Sequence, residues 1–193
     1  NGCDLGDGMS LSINLEGFTE LRFVACTLTN VDLTLLSPQD DNLHGVRIVV
    51  EDAVFVGGFI KVHPPFTLGY DGVQNMAIDI KNTQANSTSG FFDMVHAGGN
   101  ASNVSISVTD SSLNASDVLG ITSQNATDVT ISVHNSTLHA TSNLVCSCSV
   151  RAFAMRVAIS VTDSVLSAIT AAASIVHPPT DNGAALTIHD NVF

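Results

Sequence analysis

N-V-S-I-S-V-T-D-S-S-L-N-A, residues 103–115, returns as D-V-T-I-S-V-H-N-S-T-L-H-A from Asp128 and as R-V-A-I-S-V-T-D-S-V-L-S-A from Arg156. A shortened copy closes at Phe193, and looser copies begin at Asn75 and Gly45. Each run ends on an Asp or Asn: Asp52, Asn82, Asp110, Asn135, Asp163 and Asp190, spaced by 30, 28, 25, 28 and 27 residues. A period in the twenties is the mark of a stacked repeat architecture. Within the copies the apolar residues alternate (Val104, Ile106, Val108; Val129, Ile131, Val133; Val157, Ile159, Val161), which is the periodicity of a strand with one buried face.

Leucine-rich repeats need an L-x-x-L-x-L frame, and common propeller blades need about 40 residues. Neither fits. A coil of about 25 to 30 residues suits an all-β, right-handed parallel β-helix of three short strands per turn, with coils stacked about 4.8 Å apart. Six to seven coils are expected, regular over 45–193 and irregular over 1–44, in one continuous domain or a piece of a longer solenoid. Gly90, Gly98-Gly99, Gly120 and Asp181-Asn182-Gly183 are read as the breakers between strands.

The core has to be built from stacked aliphatic side chains, because Trp is absent and aromatics are 5% of the chain. Six Lys and Arg against eighteen Asp and Glu give a formal charge of −12, which argues against nucleic acid as a partner. An acidic surface serves solubility and could attract divalent cations such as Ca²⁺, though no motif here supports a Ca²⁺ site and no metal or other cofactor is expected. No apolar run reaches the roughly 18 residues of a membrane span. The chain opens on Asn1-Gly2-Cys3 without an initiator Met, as a processed or partial chain would.

The Asp/Asn column shares parity with the inward strand positions, yet it stands at strand ends. There a short amide or carboxylate can bond the turning backbone, so the column reads as a structural ladder and not as catalytic acids. His63 and His177, each in V-H-P-P, and His96 read as one proline-stiffened corner of the cross-section. Cys3, Cys26, Cys146 and Cys148 are four disulfide candidates with three possible intramolecular pairings, and links between chains are open as well. The 23-residue spacing of Cys3 and Cys26 is close to one coil, whereas C-x-C at 146–148 is poor geometry for a mutual bridge.

The sequon N-x-S/T, acceptor of N-linked glycan, occurs at Asn86, Asn100, Asn103, Asn114, Asn125 and Asn135. Asn103 and Asn114 flank inward residues and should face out. Asn100 and Asn125 each precede the first core Val by four residues and should stack on neighbouring coils. Asn135 belongs to the ladder column and is the weakest of the six.

With their hydroxyl-rich outward positions, sequons and H-P-P turns, units such as V-A-I-S-V-T-D-S-V-L-S-A at 157–168 resemble the repeat-rich surface glycoproteins of kinetoplastid protists, in particular the dispersed gene family protein 1 group. The resemblance covers about 45–193. It implies a parallel β-helix of the pectin-lyase-like class, a secreted or cell-surface location and an adhesive or structural role with glycans or cell-surface ligands as partners. It places no catalytic residue on this chain.

Two other functions compete. Many β-helices cleave acidic polysaccharides, and Asp40-Asp41, His44-Gly45 and Arg47-Ile48 echo polygalacturonase motifs, but all within one short stretch rather than on separate coils. Arg22, Arg47, Arg151 and Arg156 are not grouped with acids as a lyase requires. Ice binding needs a flat array of hydroxyls, which outward Ser105, Ser107, Thr109, Thr130, Ser132, Ser160, Thr162 and Thr187 could form, but Ala158, His134 and His189 interrupt it. The reading carried forward is a non-enzymatic, glycosylated extracellular solenoid. Neither end carries a capping pattern, so head-to-tail self-association into a filament is expected, with the cysteines available to lock subunits.

Overall fold

The computed structural model describes residues 2–6, 8–36, 43–63, 72–141, 144–169, 171–176 and 185–189. Among them there is no helix. Nineteen strands run β1 (Cys3–Leu5), β2 (Ser10–Asn14), β3 (Glu20–Val24), β4 (Cys26–Thr29), β5 (Asp32–Leu36), β6 (Leu43–His44), β7 (Arg47–Glu51), β8 (Val54–Val56), β9 (Phe59–His63) and β10 (Gly72–Lys81). They continue as β11 (Gln84–Asn86), β12 (Phe92–Thr109), β13 (Ser112–Ala115), β14 (Leu119–His134), β15 (Thr137–Ala140), β16 (Leu144–Thr162), β17 (Val165–Ala168), β18 (Ala171–Val176) and β19 (Ala185–His189).

Every pairing is parallel and joins one coil to the next. Short strands form one ladder, β1-β4-β8-β11-β13-β15-β17, while the long strands form a second, twelve-stranded sheet that folds around the remaining sides. The chain is therefore a parallel β-solenoid of about five turns, slightly fewer than expected. The segment 1–44 pairs into the same two sheets: Cys3 registers with Cys26, Leu28 with Phe55 and Leu21 with Ile48.

One coil shows the plan. β13 forms the first side; β14 then supplies both others as one continuous strand, bending where its register slips between Ser123 and Asn125 and again at Asp128, whose φ is +55°. The glycine-breaker reading is corrected here. Gly120 lies within β14, paired with Asp93 and Ser147, and Gly98-Gly99 lie within β12; only Gly90 sits between strands, and Asp181-Asn182-Gly183 lie outside the described residues. The left-handed corner residues are mostly Asx, because among L-residues Asn and Asp tolerate that conformation at least cost; Ala25 and Arg156 are the exceptions among the described residues.

The interior is a set of aliphatic rows. Ile48, Ile78, Ile106, Ile131 and Ile159 stack in register, as do Val50, Ile80, Val108, Val133 and Val161, and all are buried. Opposite them, Leu28, Phe55, Ala85, Leu113, Leu138 and Leu166 line the short-strand ladder. Ala85 is the small member of that row, and there Phe55 and Phe91 meet edge to face at 5.2 Å.

Candidate functional site

With the interior filled, chemistry is confined to the corners and outward faces. The Asp/Asn column stands at one corner: Asp52, Asn82, Asp110, Asn135 and Asp163 have φ between 45° and 53°. The left-handed turn swings each side chain out of the core and into solvent, resolving the conflict posed by parity. Asn82 donates to Asp52 at 2.6 Å and Asn135 to Asp110 at 2.7 Å, so these members form a ladder; Asp190 lies outside the described residues. Their backbone N–H groups point the other way, as in Asp52 to Lys81 O and Asn135 to Thr162 O.

Beside this column runs a second, buried one that sequence reading missed. Thr83, Ser111, Ser136 and Ser164 are at most 5% exposed. Ser111, Ser136 and Ser164 each accept the backbone N–H of the preceding member at 3.1 Å. Each of the four hydroxyls donates to the carbonyl two residues earlier, such as Ser136 Oγ to His134 O at 2.8 Å. The Asx-Ser/Thr pair that ends four of the copies, at 82–83, 110–111, 135–136 and 163–164, is the signal that could have revealed it.

A second left-handed corner was also missed, because its residue types vary. Asn75, Asn103, Asp128 and Arg156 have φ of 52°, 51°, 55° and 52°. Asn103 donates to Asn75 at 2.7 Å, while Asp128 and Arg156 pair in bidentate fashion at 2.5 and 2.6 Å. The Arg156 hydrogen bond holds the Asp128 carboxyl below its ordinary range and raises the guanidinium. Both groups are exposed, so solvent screening keeps this coupling small.

The sequon asparagines belong to these columns or to two more. Asn100 and Asn125 are register partners, bonded at 2.6 Å, as their spacing predicted. Asn86 and Asn114 are likewise partners at 3.2 Å. Asn86, Asn103 and Asn135 are exposed; Asn114 alternates with buried Leu113 and Ala115 on the outward side of its strand, half-buried and with an unpartnered Oδ1.

Cys3 and Cys26 are disulfide-bonded between adjacent coils. Cys146 and Cys148 occupy the register positions of Leu119 and Ile121, both buried. The described arginines of the polysaccharide reading are tied into ion pairs: Arg22 with Glu20 on its own strand and with Glu51 on the next coil, Arg47 with Asp79 and Glu20, and Arg156 with Asp128 across coils. The Asp79 carboxylate beside Arg47 raises that guanidinium further. Asp40, Asp41 and His177 lie outside the described residues, as do the side chains of His63, His96 and Arg151. Of the outward hydroxyls, Ser105, Thr130 and Ser132 are exposed and Ser107, Thr109, Ser160 and Thr162 half-buried, all in register across the last long strands; the Thr187 side chain is not described.

A shallow depression of about 280 Å³, unmarked in the sequence, lies on the face of β9, β12 and β14. Phe59, Lys61, Asp93, Asp117 and Thr122 line it, with Lys61 Nζ 4.9 Å from the centre of the Phe59 ring. Among the described residues no three His, Cys, Asp or Glu side chains converge as a metal site. Compared with known proteins, the chain matches no family model, no curated protein and no solved structure.

Proposed function

We propose that this chain is an extracellular, N-glycosylated β-solenoid with a structural or adhesive role, whose coils stack end to end on a second copy. The observation that carries the compartment is the Cys3–Cys26 disulfide between register partners of adjacent coils, because such bonds persist where the surroundings are oxidising. Six sequons support the same compartment, and the resemblance of 45–193 to kinetoplastid surface glycoproteins supports the role. The exposed faces are sheets of hydroxyls and amides held rigid by inter-coil ladders, a surface suited to lateral contact with polar ligands.

The first described coil has an edge on which a further coil can pair. Among the described residues β1, β2 and β3 each pair on one side only, and Leu5, Leu11, Ile13 and Leu21 remain half-buried. A strand ladder with an unpaired edge over apolar side chains is a template for another coil, and head-to-tail contacts need not close. Light scattering and negative-stain microscopy of the secreted chain, at micromolar concentration under oxidising conditions, should show filaments. A monodisperse monomer would overturn the stacking, and release of products from acidic polysaccharides would overturn the non-enzymatic role.

A further inference from the structure

The amide ladders share one direction. Asn103, Asn114, Asn125 and Asn135 each donate from Nδ2 to a side chain one coil nearer the N-terminus. Nδ2 is also the atom that carries an N-linked glycan. Asn86 and Asn100 differ from the other sequon asparagines: each accepts through Oδ1, and among the described residues neither Nδ2 has an acceptor. One coil below them stand Val56 and Gly72, and neither side chain has an oxygen to offer.

The two pairs Asn86/Asn114 and Asn100/Asn125 are register partners, so their amides lie one strand spacing apart, about 4.8 Å. Branched oligosaccharides leaving one face at that spacing would overlap. Within each pair the members are unequal. A substituent on Asn114 or Asn125 would sit at the 3.2 or 2.6 Å contact that joins the coils. A substituent on Asn86 or Asn100 leaves Oδ1 in place to accept that bond.

We infer that each pair carries a single glycan, on Asn86 and on Asn100, and that Asn114 and Asn125 stay unmodified as the donors that lock the next coil onto the glycosylated one. The inference rests on the glycoprotein reading and specifies its sites. In the modification, a cellular glycosyltransferase joins Nδ2 to the anomeric carbon of a pyrophosphate-activated oligosaccharide. The bond from that carbon to pyrophosphate breaks, and one Nδ2 proton departs with the leaving group. The remaining N–H stays on the asparagine.

The chain supplies a convenient assay, because no Lys or Arg occurs between Lys81 and Arg151 and one tryptic peptide, 82–151, holds all six sequons. Folded protein secreted from a eukaryotic host is digested, and the intact peptide is weighed to count glycans per molecule. Enzymatic release in ¹⁸O-water then converts each glycosylated Asn to labelled Asp. Label at Asn86 and Asn100, none at Asn114 or Asn125, and no more than four glycans on any molecule are expected. Asn86→Gln and Asn100→Gln should each remove one glycan, whereas Asn114→Gln and Asn125→Gln should leave the count unchanged. Label at Asn114 or Asn125, a bare Asn86 or Asn100 beside glycosylation elsewhere, or five glycans on one peptide would overturn the inference. Six bare sequons would instead remove the glycoprotein reading, and this inference with it.

Discussion

At the scale of the residue, the fold turns on the Asx-Ser/Thr dipeptide that ends four of the repeats, from Asn82 to Asp163. Its Asx member adopts positive φ, which Asn and Asp tolerate better than other L-residues, and its Ser or Thr member fills a buried position that would otherwise orphan a backbone N–H. Ser136 illustrates the second role: it accepts from Ser111 N and donates to His134 O. Ser136→Ala leaves the Ser111 N–H buried without a partner, and urea unfolding should register a loss of about 1–3 kcal/mol. Ser136→Thr should retain most of the stability, because Thr83 already occupies the equivalent place. Equal losses in both variants would count against the hydroxyl ladder. The Asx column was legible because its members are chemically alike and recur at the coil period. The hydroxyl column was hidden because a polar residue after a turn reads as exposed, and the second corner because Arg156 stands there in a conformation that disfavours it.

At the scale of the element, alternation identified the long-strand rows correctly, since Val104, Ile106, Val108 and their equivalents are all buried. The bends were less legible. A continuous strand such as β14 turns two corners without glycine, by a register slip and one left-handed residue, and neither leaves a compositional mark. The disulfide offers a test at this scale. It closes a 23-residue separation across the first two coils, and by loop entropy such a link is worth about 3 kcal/mol. In a solenoid each coil contacts only its neighbours, so the effect should stay local. Reduction is expected to raise amide exchange in β1, β2 and β4 by at least about tenfold while β12 and β14 remain protected. Loss of protection throughout the chain would show instead that the coils unfold as one unit.

At the scale of the molecule, a core of stacked aliphatic side chains and corners tied by ladders leave the outward faces as the working surface. The same solenoid frame could hold an enzyme or a scaffold, so function rests on what those faces carry. Here they carry sequon amides, in-register hydroxyls and inter-coil ion pairs under a formal charge of −12. The central claim is that this surface belongs outside the cell and is glycosylated. Its most direct test is mass spectrometry of the chain isolated from its natural source without reduction. The account predicts Cys3 joined to Cys26 and glycan on peptide 82–151. Free thiols at both cysteines together with six bare sequons would contradict it.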